Sequence, residues 1–171
     1  MIRRVVGSAV LLVTVLLVQT TVLPVLLRPG FLPDLATVLA VLVTVERGPR
    51  AGLWVAASGG LLSDLLATSV PLGSGVAIAV AVTAAAGLLR PYLGDRRGVV
   101  VPLAGLGATV AFLAGAVLRA VLATESAVTP ALLAAGAVAT GALGAVAAVP
   151  LLALLGRVLP APDPRTAGAL A

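Results

Sequence analysis

Cysteine and histidine are both absent from this chain of 171 residues. Their absence removes thiol nucleophiles, disulfides, the usual zinc ligands and the side chain that most often transfers protons near neutral pH. Aromatic residues make up only 2% of the chain, which is too few to build a surface on which nucleic-acid bases stack. Metal, redox and base-stacking functions are therefore not expected, and no cofactor is predicted.

Charged residues are also scarce. They make up 10% of the chain, whereas a soluble globular domain has about 25%. Hydrophobic residues make up 61% and the mean hydropathy is +1.23, so no stretch could form a solvated polar surface. These values predict an integral membrane protein whose core forms by packing of helix against helix in lipid.

Charged residues and Pro/Gly clusters divide the chain into apolar spans, which we compare with the roughly 20 residues that cross a bilayer. The predicted fold is all-α, a polytopic membrane bundle of about six transmembrane helices. The predicted spans are 5–23, 31–46, 51–67, 74–90, 99–122 and 130–156. Residues 1–159 form one predicted transmembrane domain. Residues 160–171, rich in Pro and Ala, are predicted to be a disordered cytoplasmic tail.

The first apolar span follows Arg3 and Arg4 and could belong to a secretory signal peptide. The stretch ends in Gln19, Thr20 and Thr21, and nothing like a small-x-small cleavage site follows it. We therefore interpret this span as a retained helix.

The arginines indicate how the bundle is oriented. All eleven basic residues are arginine, and alternation of the spans places nine on one side, with Arg28 and Arg119 on the other. The nine are Arg3, Arg4, Arg47, Arg50, Arg90, Arg96, Arg97, Arg157 and Arg165. By the positive-inside rule this side is cytoplasmic, and an even number of spans puts both termini there. The net charge of +5 then favours anionic lipid head groups, and nucleic acid is not an expected partner.

Small residues recur at intervals of four in the third span and are followed by a carboxylate. The set consists of Gly52, Ala56, Gly60 and Asp64. Residues four apart share a helix face, and small side chains allow neighbouring backbones to approach closely. Because an ionisable residue inside a membrane span suggests a functional site, this face is predicted to be a helix-packing or partner interface. The simpler alternative is a packing seam whose Asp64 reaches water at its outer end.

Similar patterns occur in the fifth and sixth spans. They are Gly107, Ala111, Gly115 and Arg119 in the fifth, and Gly136, Thr140 and Gly144 in the sixth. Arg119 either extends to the membrane surface or pairs with Asp34 or Asp64, which lie toward the same outer side. The sixth-span pattern favours packing. No base is placed to activate a serine or threonine, and no phosphate-binding loop is present, so neither catalysis nor ATP-driven transport is expected.

Short motifs in the first half of the chain follow the order and spacing of a known family. They are Gln19-Thr20-Thr21 with Pro24, Pro33-Asp34-Leu35, Arg47-Gly48-Pro49, Gly52, Gly60-Leu61-Leu62-Ser63-Asp64 and Pro71-Leu72-Gly73. In these motifs the chain resembles MreD, the rod shape-determining membrane protein. The family often has Gly-Phe in the third helix, where this chain has Ala56-Ala57, so a contact of that aromatic ring is not carried over.

The resemblance implies a non-enzymatic component of the bacterial cell-elongation machinery, located in the cell membrane and involved in cell shape and peptidoglycan synthesis. Its implied partners are MreC and, through MreC, filaments of MreB, the glycosyltransferase RodA and a class B penicillin-binding protein. Self-association is left open. The resemblance also implies a fold similar to the substrate-binding components of energy-coupling-factor transporters. That similarity supplies an alternative function, a membrane component that binds a small, vitamin-type solute for a transporter.

Overall fold

The computed structural model of the chain describes residues 2–22, 25, 34–66, 72–93, 97–122 and 129–158. Within these ranges it contains six α-helices and no strand, which confirms the all-α prediction. The helices are α1 Ile2–Leu17, α2 Leu35–Arg47, α3 Pro49–Leu66, α4 Ser74–Leu93, α5 Arg97–Leu122 and α6 Pro130–Val158. A π-helical segment, Val18–Val22, continues α1. The predicted tail, residues 160–171, lies outside the described residues, as do parts of the predicted loops.

Local sequence explains where the central helices begin and end. Asp34 precedes α2, and its side chain accepts hydrogen bonds from backbone N–H groups of the first turn. Gly48 caps the end of α2. Its φ of 102° lies in the left-handed region, and its N–H donates to the carbonyl of Thr44 at 2.9 Å. Pro49 then opens α3 at a position where a helix needs no N–H donor. A single glycine therefore reverses the chain between α2 and α3.

α2 lies at the centre of the described bundle. Every residue from Leu35 to Thr44 is buried, and α2 packs against each of the other five helices. Its 13 residues rise about 20 Å, which is less than the hydrocarbon thickness of about 30 Å. Because protein surrounds α2 on every side, this helix has no exposed stripe and differs from the amphipathic helices of soluble proteins.

The outer helices carry apolar side chains on the surface of the bundle. Among the described residues, three segments are long and apolar enough to cross a membrane: Ser74–Tyr92, Gly98–Leu118 and Pro130–Arg157. On α5, exposed residues recur every three or four positions and form an apolar stripe of Leu106, Val110, Leu113, Val117 and Val121. An apolar surface of this extent is unusual for a soluble monomer and is normal where lipid is the solvent. These features identify the chain as a membrane protein.

The two ends of the bundle differ in charge. At one end the Nε of Arg90 donates to the carbonyl of Val45 at 3.0 Å, so the last turns of α4 and α2 meet. A cleft there brings Glu46 and Arg47 close to Gly156 near the end of α6. We call this the arginine end, defined by Arg47, Arg50, Arg90 and Arg157. The opposite end holds Asp34 and Asp64, and we call it the carboxylate end.

Candidate functional site

The four residues of the third-span pattern lie on one buried face of α3. Gly52, Ala56, Gly60 and Asp64 are all buried, and Gly59 beside them is buried as well. The structure therefore places the predicted interface inside this chain, where it faces α2 and α4. The face has a distinct neighbour at each level from the arginine end to the carboxylate end.

At the arginine end of this face, α3 packs against α2. A Cβ added to Gly52 would collide with the Thr44 side chain and would lie 2.9 Å from the carbonyl oxygen of Ala40. One turn further along, Ala56 is buried in a small cluster with Ala40 of α2 and Ala79 of α4. Small residues at both levels allow the three helix backbones to approach one another closely.

Toward the carboxylate end, Gly60 packs directly on the backbone of α4. A Cβ at Gly60 would lie 2.7 Å from Cα of Val76, 2.9 Å from its amide nitrogen and 3.0 Å from the carbonyl oxygen of Gly75. Backbone atoms cannot turn aside as a flexible side chain can. Glycine is therefore the residue that this close approach of α3 and α4 requires.

Asp64 ends this face and binds the start of α4. Its carboxylate accepts the N–H of Gly73 at 2.9 Å, the N–H of Gly75 at 2.9 and 3.1 Å, and the N–H of Val76 at 3.3 Å. The residue is 6% exposed. The first N–H groups of a helix have no partner within the helix, and the helix dipole favours an anion there. Asp64 therefore caps α4 from the preceding helix.

The glycines around this cap are part of it. A Cβ at Gly75 would collide with the Asp64 carboxylate, so only glycine lets the carboxylate reach these amides. Gly73 has a φ of 96°, which side chains rarely allow. The spacing of Asp64, Gly73 and Gly75 is a sequence signal for this cap that pattern analysis of α3 alone missed.

Asp34 forms a second cap at the same end of the bundle. Its Oδ1 accepts the N–H groups of Ala36 at 3.1 Å and Thr37 at 3.3 Å, and its Oδ2 accepts the Thr37 hydroxyl. Gln19, in the π-helical segment after α1, shares this site, because its Oε1 accepts the Ala36 N–H at 3.3 Å. The cap therefore ties α1 to the central helix.

Arg119 lies in α5 toward the carboxylate end, but its side chain lies outside the part of the chain that the structure describes. The pairing of Arg119 with Asp34 or Asp64 therefore stays a prediction. Both carboxylates already accept backbone N–H groups, although a carboxylate has about four acceptor positions and can bind a further donor.

The seam between α5 and α6 is a second close approach, and sequence reasoning missed Gly105 and Thr109 of α5 and Gly141 of α6. A Cβ at Gly105 would lie 2.8 Å from the carbonyl oxygen of Gly141 and 3.0 Å from Cβ of Ala145. The hydroxyl of Thr109 donates to the Gly105 carbonyl at 3.1 Å and across to the Ala137 carbonyl at 3.3 Å. Small residues at intervals of four on both helices were the signal that could have found it.

The fifth-span pattern faces elsewhere. A Cβ at Gly107 would meet Val41 of α2 at 3.2 Å and Val82 of α4 at 3.3 Å, so this residue packs toward the centre of the bundle. In the sixth-span pattern, Gly136 packs on the ring of Phe112 and Gly144 on Ala108. α5 therefore carries two small-residue faces, one toward the centre and one toward α6.

Among the described residues, no three His, Cys, Asp or Glu side chains lie together as metal ligands would. The described carboxylates at the carboxylate end bind backbone amides, so their chemistry is that of helix capping. Comparison with protein-family models, curated proteins and solved structures finds no match for this chain.

Proposed function

We propose that this chain is a non-enzymatic membrane scaffold of the bacterial cell-elongation machinery, as its resemblance to MreD implies. In this proposal it binds MreC and, through MreC, acts with MreB filaments, RodA and a class B penicillin-binding protein. It affects cell shape and peptidoglycan synthesis only through these partners. It lies in the cell membrane as a bundle of six spans.

One observation carries the proposal: the carboxylates of Asp34 and Asp64 and the side-chain amide of Gln19 hold the bundle's own helices together. Asp34, Asp64 and Gln19 accept backbone N–H groups at the starts of α2 and α4. A component that binds a polar solute needs polar side chains turned toward a cavity. Polar side chains that cap helices make the bundle rigid. Such a bundle would act through its outer surface, where a scaffold binds the helices of its partners.

The proposed topology places the arginine end in the cytoplasm. Arginines concentrate in the cytoplasmic loops of membrane proteins, and this end holds Arg47, Arg50, Arg90 and Arg157. With six spans, both termini lie on that same side. In this arrangement α2 crosses the membrane as a short central helix.

The test is co-purification of the tagged chain from its native bacterium in a mild detergent, with a tagged, unrelated multi-span protein as control. We expect MreC to be recovered with this chain and to be absent from the control. Depletion of the chain should change cell width or mislocalise MreC, while purified synthases keep their activity. Absence of MreC together with unchanged cell width would reject the proposal. Solute uptake restored by this chain with a transporter ATPase module would support the transporter alternative in its place.

A further inference from the structure

A groove opens on the outer surface between α3 and α4, near the arginine end. It has a volume of about 310 Å³ and is lined by Arg50, Leu53, Trp54 and Ala57 of α3 and by Val80 of α4. Arg50 lies at the arginine end of the groove, and Ala57 and Val80 lie deeper along the helices. The groove is therefore apolar along its length and basic at one end.

Helix packing creates this groove. α3 and α4 run antiparallel. Their backbones approach closely where Gly60 meets Val76, and Gly87 of α4 packs on the ring of Pro49 at the other end of the seam. On the outer side of this seam the small side chain of Ala57 lies across from Val80 and leaves a trough. The trough follows the helices and so has the direction of a lipid acyl chain in the bilayer.

Arg50 lacks a counter-charge within the described part of the chain. Its side chain is exposed, and no described residue gives it an ion pair or hydrogen bond. It also lies in the first turn of α3, where the positive end of the helix dipole disfavours a cation. An anion bound at this point would neutralise the charge of Arg50 and would also interact favourably with the positive end of the helix dipole.

Trp54 marks the depth of the groove in the membrane. It is the only tryptophan of the chain, it follows Arg50 by one helical turn, and it is 78% exposed. Tryptophan is enriched where hydrocarbon meets the lipid head groups, and basic residues nearby attract anionic lipids. In a bilayer, a Trp54 at this boundary would put Arg50 at the level of the lipid phosphates and Leu53, Ala57 and Val80 in the hydrocarbon.

We infer that this groove binds one anionic phospholipid, with its phosphate at Arg50 and an acyl chain along Leu53, Ala57 and Val80. Charge complementarity identifies the occupant, because a zwitterionic lipid brings its own cation to Arg50. The inference is independent of the scaffold proposal, since it needs only that the arginine end lies at a membrane surface.

The test uses the fluorescence of Trp54 in the full chain, reconstituted into nanodiscs of phosphatidylcholine. A small, equal fraction of brominated lipid is added, either phosphatidylglycerol or phosphatidylcholine, because bromine quenches a tryptophan that it contacts. One arginine at a membrane surface corresponds to about a fivefold preference for an anionic lipid. We expect brominated phosphatidylglycerol to be enriched at Trp54 by about this factor.

Three variants distinguish a lipid bound in the groove from a diffuse attraction of anionic lipids to the arginine end. Arg50→Gln should abolish the preference, whereas Arg157→Gln, which removes an exposed arginine of the same end outside the groove, should leave it unchanged. Ala57→Leu fills the groove and keeps Arg50, so it should also reduce the preference. Equal quenching by both lipids in the wild-type chain, or an equal effect of the two arginine variants, would overturn the inference. A Trp54 that neither lipid quenches would overturn it too, because a second copy or partner helix would then cover the groove.

Discussion

The carboxylate of Asp64, on α3, accepts the backbone N–H of Gly75, on α4, at 2.9 Å. Both carboxylate oxygens take part in this cap, which satisfies amides that hydrocarbon could not satisfy. The carboxylate that sequence analysis marked as a candidate interface residue therefore joins two helices of its own chain.

Asp64→Asn should destabilise the protein by about 1 to 3 kcal/mol. The amide of asparagine offers a single acceptor oxygen, and its NH₂ group would face the backbone N–H donors at the start of α4. Thermal unfolding in detergent measures the loss, and hydrogen exchange should rise at Gly75 and Val76. Glu46→Gln removes the same charge from a residue without a described partner and should change little. Equal effects of the two changes would show that Asp64 acts through net charge and not through the cap.

Gly60→Ala should lower the thermal midpoint, because the added Cβ would lie 2.7 Å from the Cα of Val76 and must push α4 away. Gly98→Ala is the matched control, since a Cβ at this helical glycine meets nothing within 4 Å. The control should be neutral or stabilising by up to about 1 kcal/mol, because alanine favours a helix. A neutral Gly60→Ala would contradict the close approach of α3 and α4.

Thr83→Val should raise the free energy of unfolding by about 1 kcal/mol. The Thr83 hydroxyl is buried and has no hydrogen-bond partner within the described part of the chain, so an isosteric methyl group removes a desolvation cost. Thr44→Val is the comparison, because that equally buried hydroxyl donates to the Ala40 carbonyl at 2.9 Å. We expect opposite signs for the two changes in chemical denaturation, and a loss of stability in Thr83→Val would refute the argument.

The predicted pair of Asp64 and Arg119 has a test of its own. If the two charges interact, removing one leaves the other uncompensated in a partly dry site, and removing both relieves that cost. Asp64→Asn and Arg119→Gln should then be non-additive by about 1 kcal/mol in thermal unfolding. Strict additivity would reject the pair and leave Arg119 as a residue that extends to the membrane surface.

Reporter fusions test the proposed topology. Fusions after Arg50, Arg97 and Arg165 should report cytoplasm, because they follow the arginine-rich segments. Fusions after Gly30, Gly73 and Glu125 should report the outside. An external reporter after Arg165 would overturn the six-span arrangement, and α2 is the helix whose crossing this result would first call into question.

The helices themselves could be predicted from the sequence, because apolar length is what the bilayer demands of a span. The arrangement could not be predicted in the same way. α2 is less apolar than α4, α5 and α6, and nothing in the sequence of Leu35–Arg47 indicates that this helix is surrounded on all sides. That property depends on contacts with α5 and α6, which are distant in sequence.

The candidate site, too, could be predicted from the sequence only in part. The spacing of Gly52, Ala56, Gly60 and Asp64 was sufficient to place them on one helix face, because the period of a helix is fixed. Their neighbours follow from the tertiary structure, which alone reveals that Gly60 contacts the backbone of Val76. In α5 the sequence pattern pointed to Gly107, which packs toward the centre of the bundle. The contact with α6 is made at Gly105 instead, because two faces of this helix carry small residues.

The enclosed position of α2 has a consequence for adaptation to different bilayers. A lipid-facing helix responds to hydrophobic mismatch by tilting or by deforming the bilayer around it. α2 is too short to match the hydrocarbon, but its neighbours shield it, so membrane thickness acts on α4, α5 and α6 instead. A thicker bilayer should therefore change the tilt of these outer helices while α2 stays fixed among its protein neighbours.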